Sequence, residues 1–250
     1  MPKPETIENR WDILYRDYPE VYEAFAQDGG GPVKDFAKML HVKDKIVVDV
    51  ASGTGRSTFP LTRYARKVIG IEPEEAMLKI ARQTMKQNGI KNVVFRKGTS
   101  DRIPWPDHSV DIVAAVGSAS FYSRENIERF VTESERILVN DGFIYSIDVA
   151  PGWYGGDLAP VIYGPSRRQK GADSGFIRSD TFAALGFKHK DFYRYQEFDS
   201  LDHILSTYGF IFGKKAIDYI KAHDKTTIKW KWRIFSKQVN VKSDSPRLDG

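Results

Sequence analysis

Between an apolar run and an amphipathic stretch the chain reads Asp49-Val50-Ala51-Ser52-Gly53-Thr54-Gly55. Glycines at a strand-to-helix turn let the backbone meet a ligand with no side chain in the way. In an open parallel sheet such a turn lies at the carboxyl ends of the strands, where ligands collect near the switch in strand order. Glu72 follows 19 residues beyond Gly53, at the end of the next apolar run. A carboxylate has acceptor sites enough to take hydrogen bonds from both vicinal hydroxyls of a ribose. Turn and carboxylate, each in register with a strand, point to an adenosine-containing cofactor. A tight turn beside a merely solvated glutamate explains the spacing poorly.

These groups must be held by a sheet. Residues 45–50 form a compact apolar run of the kind found in parallel strands buried on both faces. Further strands are predicted over 67–71, 92–96, 110–116 and 143–149. Helices are predicted between them over 56–65, 74–87 and 124–139, the last closing at Asn140-Asp141-Gly142. The alternation implies a doubly wound, Rossmann-like α/β fold with right-handed crossovers. After Val149 the rhythm changes. Residues 151–175 hold six glycines and three prolines and read as a long loop or lid. A short helix at 180–185, a strand at 192–198, a helix over 200–222 broken near Gly209 and Gly213, and a strand over 227–238 complete the reading. Upstream, 6–26 reads as a helix with Trp11, Tyr15, Tyr18 and Tyr22 along one face, and 33–40 as a second, shorter one.

The glycine turn resembles the first motif of the class I S-adenosylmethionine-dependent methyltransferases, acidic-x-Gly-x-Gly-x-Gly. Asp49, Gly53 and Gly55 match, Ala51 replaces the first glycine, and Ser52 stands where many relatives carry cysteine. An alanine at that point predicts an ordinary backbone angle. A dinucleotide fingerprint would need a third glycine three positions after Gly55, where this chain has Thr58. The resemblance runs on, in order, over about two-fifths of the chain. Val68-Ile69-Gly70-Ile71-Glu72-Pro73 looks like the family's second-strand motif, Gly98-Thr99-Ser100-Asp101-Arg102-Ile103-Pro104-Trp105 like the loop written Gly-Asp-Ala-x-x-Leu-Pro-Phe, and Asp107-His108-Ser109-Val110-Asp111 like its turn into the fourth strand.

The resemblance implies S-adenosyl-L-methionine as cofactor, S-adenosyl-L-homocysteine as product, and a seven-stranded, mostly parallel sheet. It assigns the cofactor to Asp49, Ala51, Ser52, Gly53 and Gly55, with Glu72 and Pro73 at the ribose. Met77 would pack on adenine, Thr99 (in place of the usual aspartate) and Ser100 would border it, and Gly117 and Ser118 would lie beside the methyl group. Tyr15 or Tyr22 would close over the cofactor from the amino-terminal region. The expected organisation is a helical cap over 1–42, a cofactor-binding core over 43–150, acceptor-side insertions and last strands over 151–240, and a tail over 241–250.

In-line methyl transfer depends on alignment and requires no nucleophilic side chain. That suits a 250-residue chain with no cysteine, which excludes disulfides, thiolate nucleophiles and cysteine-ligated metals. No metal site is expected. With 41% hydrophobic and 28% charged residues the chain reads as globular. No stretch approaches the ~20 apolar residues of a membrane span, and the amino end lacks the pattern of a secretory signal, so a cytoplasmic location is expected. The formal charge of +5 is uneven: residues 1–150 carry 21 basic and 22 acidic side chains, residues 151–250 carry 17 and 11. Arg167, Arg168 and Lys170 offer contacts for an anionic acceptor, and His203 is a candidate base if the acceptor must lose a proton. His108 reads as structural.

The reading is methyl transfer to a small-molecule acceptor by a monomer or homodimer. Alternatives are an RNA or other macromolecule methyltransferase and a cofactor-binding protein without turnover. The macromolecule alternative is motivated by the basic last hundred residues and the Lys/Trp strand at Lys229–Arg233. Nucleic acid is nonetheless disfavoured as a partner: the fourth strand ends Gly-Ser-Ala-Ser, not in an Asn/Asp-Pro-Pro-aromatic signature, no cysteine is present for thiolate-dependent pyrimidine methylation, and no RNA-binding appendage is recognised.

Overall fold

The structure is a computed structural model that describes residues 14, 17–27, 36–117, 121, 123–164 and 174–239. In chain order it contains α1 (Pro19–Gln27), α2 (Phe36–Met39), β1 (Ile46–Val50), α3 (Thr58–Thr62), β2 (Lys67–Glu72), α4 (Glu75–Gln87), β3 (Val93–Lys97), β4 (Val110–Val116), α5 (Arg124–Ile137) and β5 (Leu138–Val149). A 3₁₀ turn (Gly156–Leu158), α6 (Ala159–Tyr163), α7 (Ser174–Ala184), β6 (Lys188–Glu197) and α8 (Leu201–Ile204) follow. A π-helical turn (Leu205–Gly209), α9 (Phe210–Phe212), α10 (Lys214–His223) and β7 (Thr227–Gln238) complete the described chain.

The strands form one seven-stranded sheet in the order β3-β2-β1-β4-β5-β7-β6. Neighbours from β3 to β5 are parallel, and the order reverses between β1 and β4. β7 runs against β5: Asp141 N–H donates to Val239 O, whereas Ala150 N–H donates to Lys231 O. The expected doubly wound, Rossmann-like sheet is therefore present.

Two compact units are made from non-contiguous pieces. The first comprises Phe36–Ile147, Asp180–His189 and the chain from Ile234. Its core takes the apolar faces of the central strands, among them Val48, Val50, Ile69, Ile71 and Val113, with Ile127, Phe130, Val131 and Ile137 of α5. Those α5 residues recur at helical spacing, and the helix starts cleanly because Ser123 Oγ accepts the Asn126 N–H. Phe182 stacks on Phe235 at 4.8 Å in the same core.

The second unit comprises Asp148–Ser179, Lys190–Arg233 and the amino-terminal segment with α1. Its core is aromatic: Phe25, Tyr208, Phe212 and Trp230 meet at ring separations of 4.4–6.5 Å. Three of its buried polar side chains are matched. Trp230 Nε1 donates to Gln196 Oε1, and Gln196 Nε2 donates to Phe25 O, both at 2.8 Å. The Tyr208 hydroxyl donates to Gly155 O, and burial pushes its pKa up.

Several expected boundaries move. The helix predicted over 56–65 shrinks to α3, since the turn before it runs to Ser57. The Asn140-Asp141-Gly142 turn does not form. The chain passes from α5 into β5 at Leu138, and Asp141 (φ +63°) and Gly142 lie within the strand as an irregularity that still pairs with Val239. The helix expected at 180–185 begins at Ser174, inside the predicted loop, and that loop also contains α6. β6 starts at Lys188 rather than 192, because an edge strand needs no buried alternation at its exposed end. Gly209 does not break its helix; the backbone widens into the π-helical turn, and the break comes at Gly213 with φ +80°.

Candidate functional site

The turn after β1 is built from left-handed residues: Ala51 at φ +59°, Gly53 at +53° and Gly55 at +90°. The ordinary angle expected at Ala51 is not found. The turn is fixed from both sides, with Ser52 N–H donating to Ile71 O at 3.0 Å and Gly55 N–H to Ser52 O at 2.8 Å, so Ala51 takes the conformation imposed on it. A left-handed alanine costs roughly 1–2 kcal/mol, while glycine adds roughly 0.4–1 kcal/mol of unfolded-state entropy. Ala51→Gly is therefore expected to stabilise the protein by about 0.5 kcal/mol, read as a higher urea midpoint. A lower midpoint would show that the turn is unstrained at this residue.

Glu72, at the carboxyl end of β2, is 7% exposed. Its Oε2 accepts the Gly53 N–H at 2.9 Å and its Oε1 the Glu74 N–H at 3.0 Å. Each oxygen keeps a further lone pair, which is the acceptor set a ribose diol needs. Burial raises the Glu72 pKa against the lowering effect of those two amides. Around it the backbone is bare: the positions a Cβ would take on Gly53 and on Gly117, at the ends of β1 and β4, have no atom within 4 Å. Open space over two glycines at the switch in strand order, beside a carboxylate with spare acceptor capacity, fits an adenosine-bearing cofactor.

Asp49 lies beneath this surface, with no exposure. Its Oδ2 accepts hydrogen bonds from Ser57 Oγ at 2.7 Å and Thr58 Oγ1 at 2.6 Å, and burial raises its pKa to about 6 against those bonds. Asp49 Oδ1 and Ser52 Oγ have no hydrogen-bond partner among the described residues. Asp49 thus clamps the turn onto the start of α3. Thr58, which sequence reasoning treated only as a missing glycine, supplies half of the clamp. Gly70 was also missed as a site residue. It is paired in register with Asp49, and a Cβ on it would lie 2.5 Å from the Phe95 ring and 2.9 Å from Ser52 Oγ. A glycine in the middle of a fully buried strand was the available signal.

A cleft of about 660 Å³ opens at Pro73, next to Glu72 in the chain, and is lined also by Lys97, Gly98, Thr99, Arg102, Ile103, Pro104, Trp105, Glu133 and Arg136. One wall is tied down by ion pairing. Glu133 Oε2 accepts the Ile103 N–H at 2.9 Å, and Arg136 donates to Glu133, to Ile103 O and to Trp105 O. Hydrogen bonding to Arg136 holds the Glu133 carboxyl low. Pro73 and Thr99 thus border one cleft, Ser100 is half-buried next to Thr99, and Met77 is half-buried on α4. His108, at φ +46°, has Nδ1 3.1 Å from Leu138 O in the turn before β4.

Two further candidates lie in the second unit. Tyr22 is half-buried against its aromatic core. His203, in the first turn of α8, meets the ring of Phe198 edge-on at 5.6 Å. Tyr15, Ser118, Arg167, Arg168 and Lys170 lie outside the described residues. Among the described residues no group of three or more His, Asp or Glu side chains could hold a metal ion, and no helix is long and apolar enough to cross a membrane.

Residues 47–142 match a family model described as a methyltransferase domain. The chain is 29% identical over 102 residues to the uncharacterized methyltransferase YcgJ of Bacillus subtilis, a match covering 41% of this chain and 40% of that protein. It is 27% identical over 154 residues to the demethylmenaquinone methyltransferase of Lactococcus lactis, covering 58% and 59%. Among solved structures, the [4+2]-cyclase SpnF superposes with a TM-score of 0.60 at 18% identity, over 96% of this chain and 98% of that one. The chain thus spans less than two thirds of the length of the two curated relatives, and over residues 47–142, the stretch that carries the glycine turn and Glu72, it is similar to methyltransferase domains.

Proposed function

We propose that the protein transfers a methyl group from S-adenosylmethionine to a small-molecule acceptor. The observation that carries the reading is Glu72, buried, fixed by two backbone amides and retaining acceptor sites beneath the open space over Gly53 and Gly117. Glu72 would hold the ribose hydroxyls, the Gly53–Gly55 backbone would receive the rest of the nucleoside, and the cleft at Pro73 and Thr99 would border the base. Asp49, with Ser57 and Thr58, fixes the turn without needing to touch the ligand. Glu72 and the Gly53–Gly55 turn would thus hold S-adenosylmethionine, which would supply an electrophilic methyl carbon for in-line transfer to an acceptor lone pair, with S-adenosylhomocysteine as the leaving group. The chain's contribution is then alignment and exclusion of water, worth several kcal/mol when both partners are held. His203 would serve as base only for an acceptor that must lose a proton, and Arg167, Arg168 and Lys170 would meet an anionic one.

A small acceptor is supported by the named activity of the Lactococcus lactis relative, on demethylmenaquinone. Calorimetric titration with S-adenosylmethionine and S-adenosylhomocysteine tests the cofactor, and incubation of the protein with labelled cofactor and metabolite extract, read by mass for a methyl gain, tests the acceptor class. No binding of either nucleoside at about millimolar concentration would end the proposal. Binding without any methylated metabolite would leave a cofactor-holding protein in its place.

A further inference from the structure

β6 is the last strand of the sheet, and its Tyr193 and Tyr195 are 46% and 57% exposed, among the few large apolar side chains so displayed. Alternation along a strand puts both rings on one face, about 6.7 Å apart along the chain. The cations of the neighbouring strand lie against them. Lys229 Nζ sits 4.3 Å from the centre of the Tyr193 ring and 5.8 Å from that of Tyr195, and Lys231 Nζ sits 5.9 Å from Tyr193. Trp153 meets Tyr193 edge-on at 5.7 Å and extends the aromatic surface.

β6 and β7 together carry seven Lys and Arg against two Asp and Glu. The cations of the tyrosine face are Lys229, Lys231 and Arg233 of β7, while Lys188, Lys190 and Arg194 of β6 alternate onto the other face, where Arg194 lies over Phe192. Asp191 engages Lys231 at 2.9 Å and Arg233 at 2.7 Å, and hydrogen bonding to Arg233 draws its carboxyl down to about 2. This pairing fixes the lower part of the face. Among the described residues no carboxylate pairs with the Lys229 ammonium, which lies over the tyrosines.

We propose that this face binds single-stranded nucleic acid, with Tyr193 and Tyr195 each taking one base and Lys229 with its neighbours taking phosphates. Rings at alternate positions of a sheet, interleaved with cations, are the arrangement that base stacking plus phosphate contact requires. A base entering the stack displaces the Lys229 ammonium from the ring to a phosphate, so the resting cation–π contact is given up for an ion pair. A second copy of this chain is the poorer occupant, because pairing two such edges would bring the cations Lys188, Lys190 and Arg194 of both copies together. The sequence disfavours nucleic acid as a partner, on the end of β4, the missing cysteines and the lack of a recognised RNA-binding appendage. The present face needs no appendage and is independent of which molecule is methylated.

The test is fluorescence anisotropy of labelled oligouridine and oligothymidine with the full-length protein at low and moderate salt, with S-adenosylmethionine titrations run on the same preparations. Micromolar binding that weakens steeply with salt is expected. Tyr193→Ala with Tyr195→Ala should weaken it by about tenfold per ring and leave cofactor affinity unchanged, and the corresponding phenylalanine pair should restore it. Lys229→Gln should lower the log–log salt slope by about one. Absence of oligonucleotide binding at about 100 µM protein overturns the proposal. So does binding that heparin abolishes while both alanine substitutions leave it intact, which would mark a polyanion surface without stacking. Unchanged cofactor affinity in the variants separates either result from failure of the proposed methyl transfer.

Discussion

Glu72→Gln should weaken S-adenosylmethionine binding by about a hundredfold while leaving the fold intact. The carboxylate accepts two backbone amides, from Gly53 and Glu74, and has lone pairs left for two ligand hydroxyls. Glutamine keeps one carbonyl oxygen and turns an NH₂ toward one of those amides, so a donor faces a donor and one hydroxyl loses its acceptor. A hydrogen bond to a charged partner is worth about 1.5–3 kcal/mol, and losing one ligand bond while the other turns from charged to neutral gives about 3 kcal/mol. Stability suffers less, because burial already disfavours the Glu72 charge and the neutral amide escapes that penalty. The same logic sets a pH dependence. With its pKa raised, Glu72 gains a proton before an ordinary glutamate does, and cofactor affinity should fall as pH drops through that raised value. Calorimetry on both proteins across pH checks it; equal affinity for wild type and variant would remove Glu72 from the binding site.

Thr58→Val should destabilise the protein more at pH 8 than at pH 4. Asp49 is buried with its pKa raised from 3.8 to about 6, and hydrogen bonds from Thr58 and Ser57 limit that rise. The native state therefore holds the Asp49 proton more tightly than the unfolded chain does. Between about pH 4 and pH 6 the native state binds more protons, so stability falls as pH rises across that window and then levels off. Removing the Thr58 hydroxyl raises the folded pKa again and extends the falling limb upward. The expected cost is about 2–3 kcal/mol at pH 8, where the charge has lost a donor, and about 1 kcal/mol at pH 4, where a neutral carboxyl has. Asp49→Asn should flatten much of the slope, leaving the part due to Glu72, whose pKa moves the same way. Urea unfolding at both pH values reads the difference, and parallel curves for wild type and Thr58→Val would show that the clamp carries no charge.

Strands β1 and β4 were legible from the chain because each is a short apolar run buried on both sides, so composition alone marks them. The spacing of Asp49, Gly53 and Glu72 was legible for a related reason: consecutive parallel strands fix how far apart their ends can be. The partners of Asp49 were not, since Ser57 and Thr58 reach back across an irregular turn, where no periodicity pairs hydroxyl with acid. Ala51 misled because side-chain identity says little about φ once two backbone hydrogen bonds have fixed the turn. The second unit was the least readable part. Its glycines and prolines suggested loop, yet tertiary packing recruits them into α6 and the start of α7, and the Lys188-His189-Lys190-Asp191 opening of β6 carries none of the apolar alternation by which strands are recognised.

Ile137 is the last residue of α5 and Leu138 the first of β5, with nothing between them. A junction of this kind has no slack. Inserting or deleting one residue there would turn the following strand over, sending Leu138 away from its partner Val110 and reversing which side chains face the core. Gly186, between α7 and β6, is the opposite case: it is exposed, left-handed at φ +82° and has open space where a side chain would be. An epitope, a fluorescent reporter or new termini belong at Gly186, and a single extra codon at 137–138 should cost the fold more than a whole inserted peptide at 186.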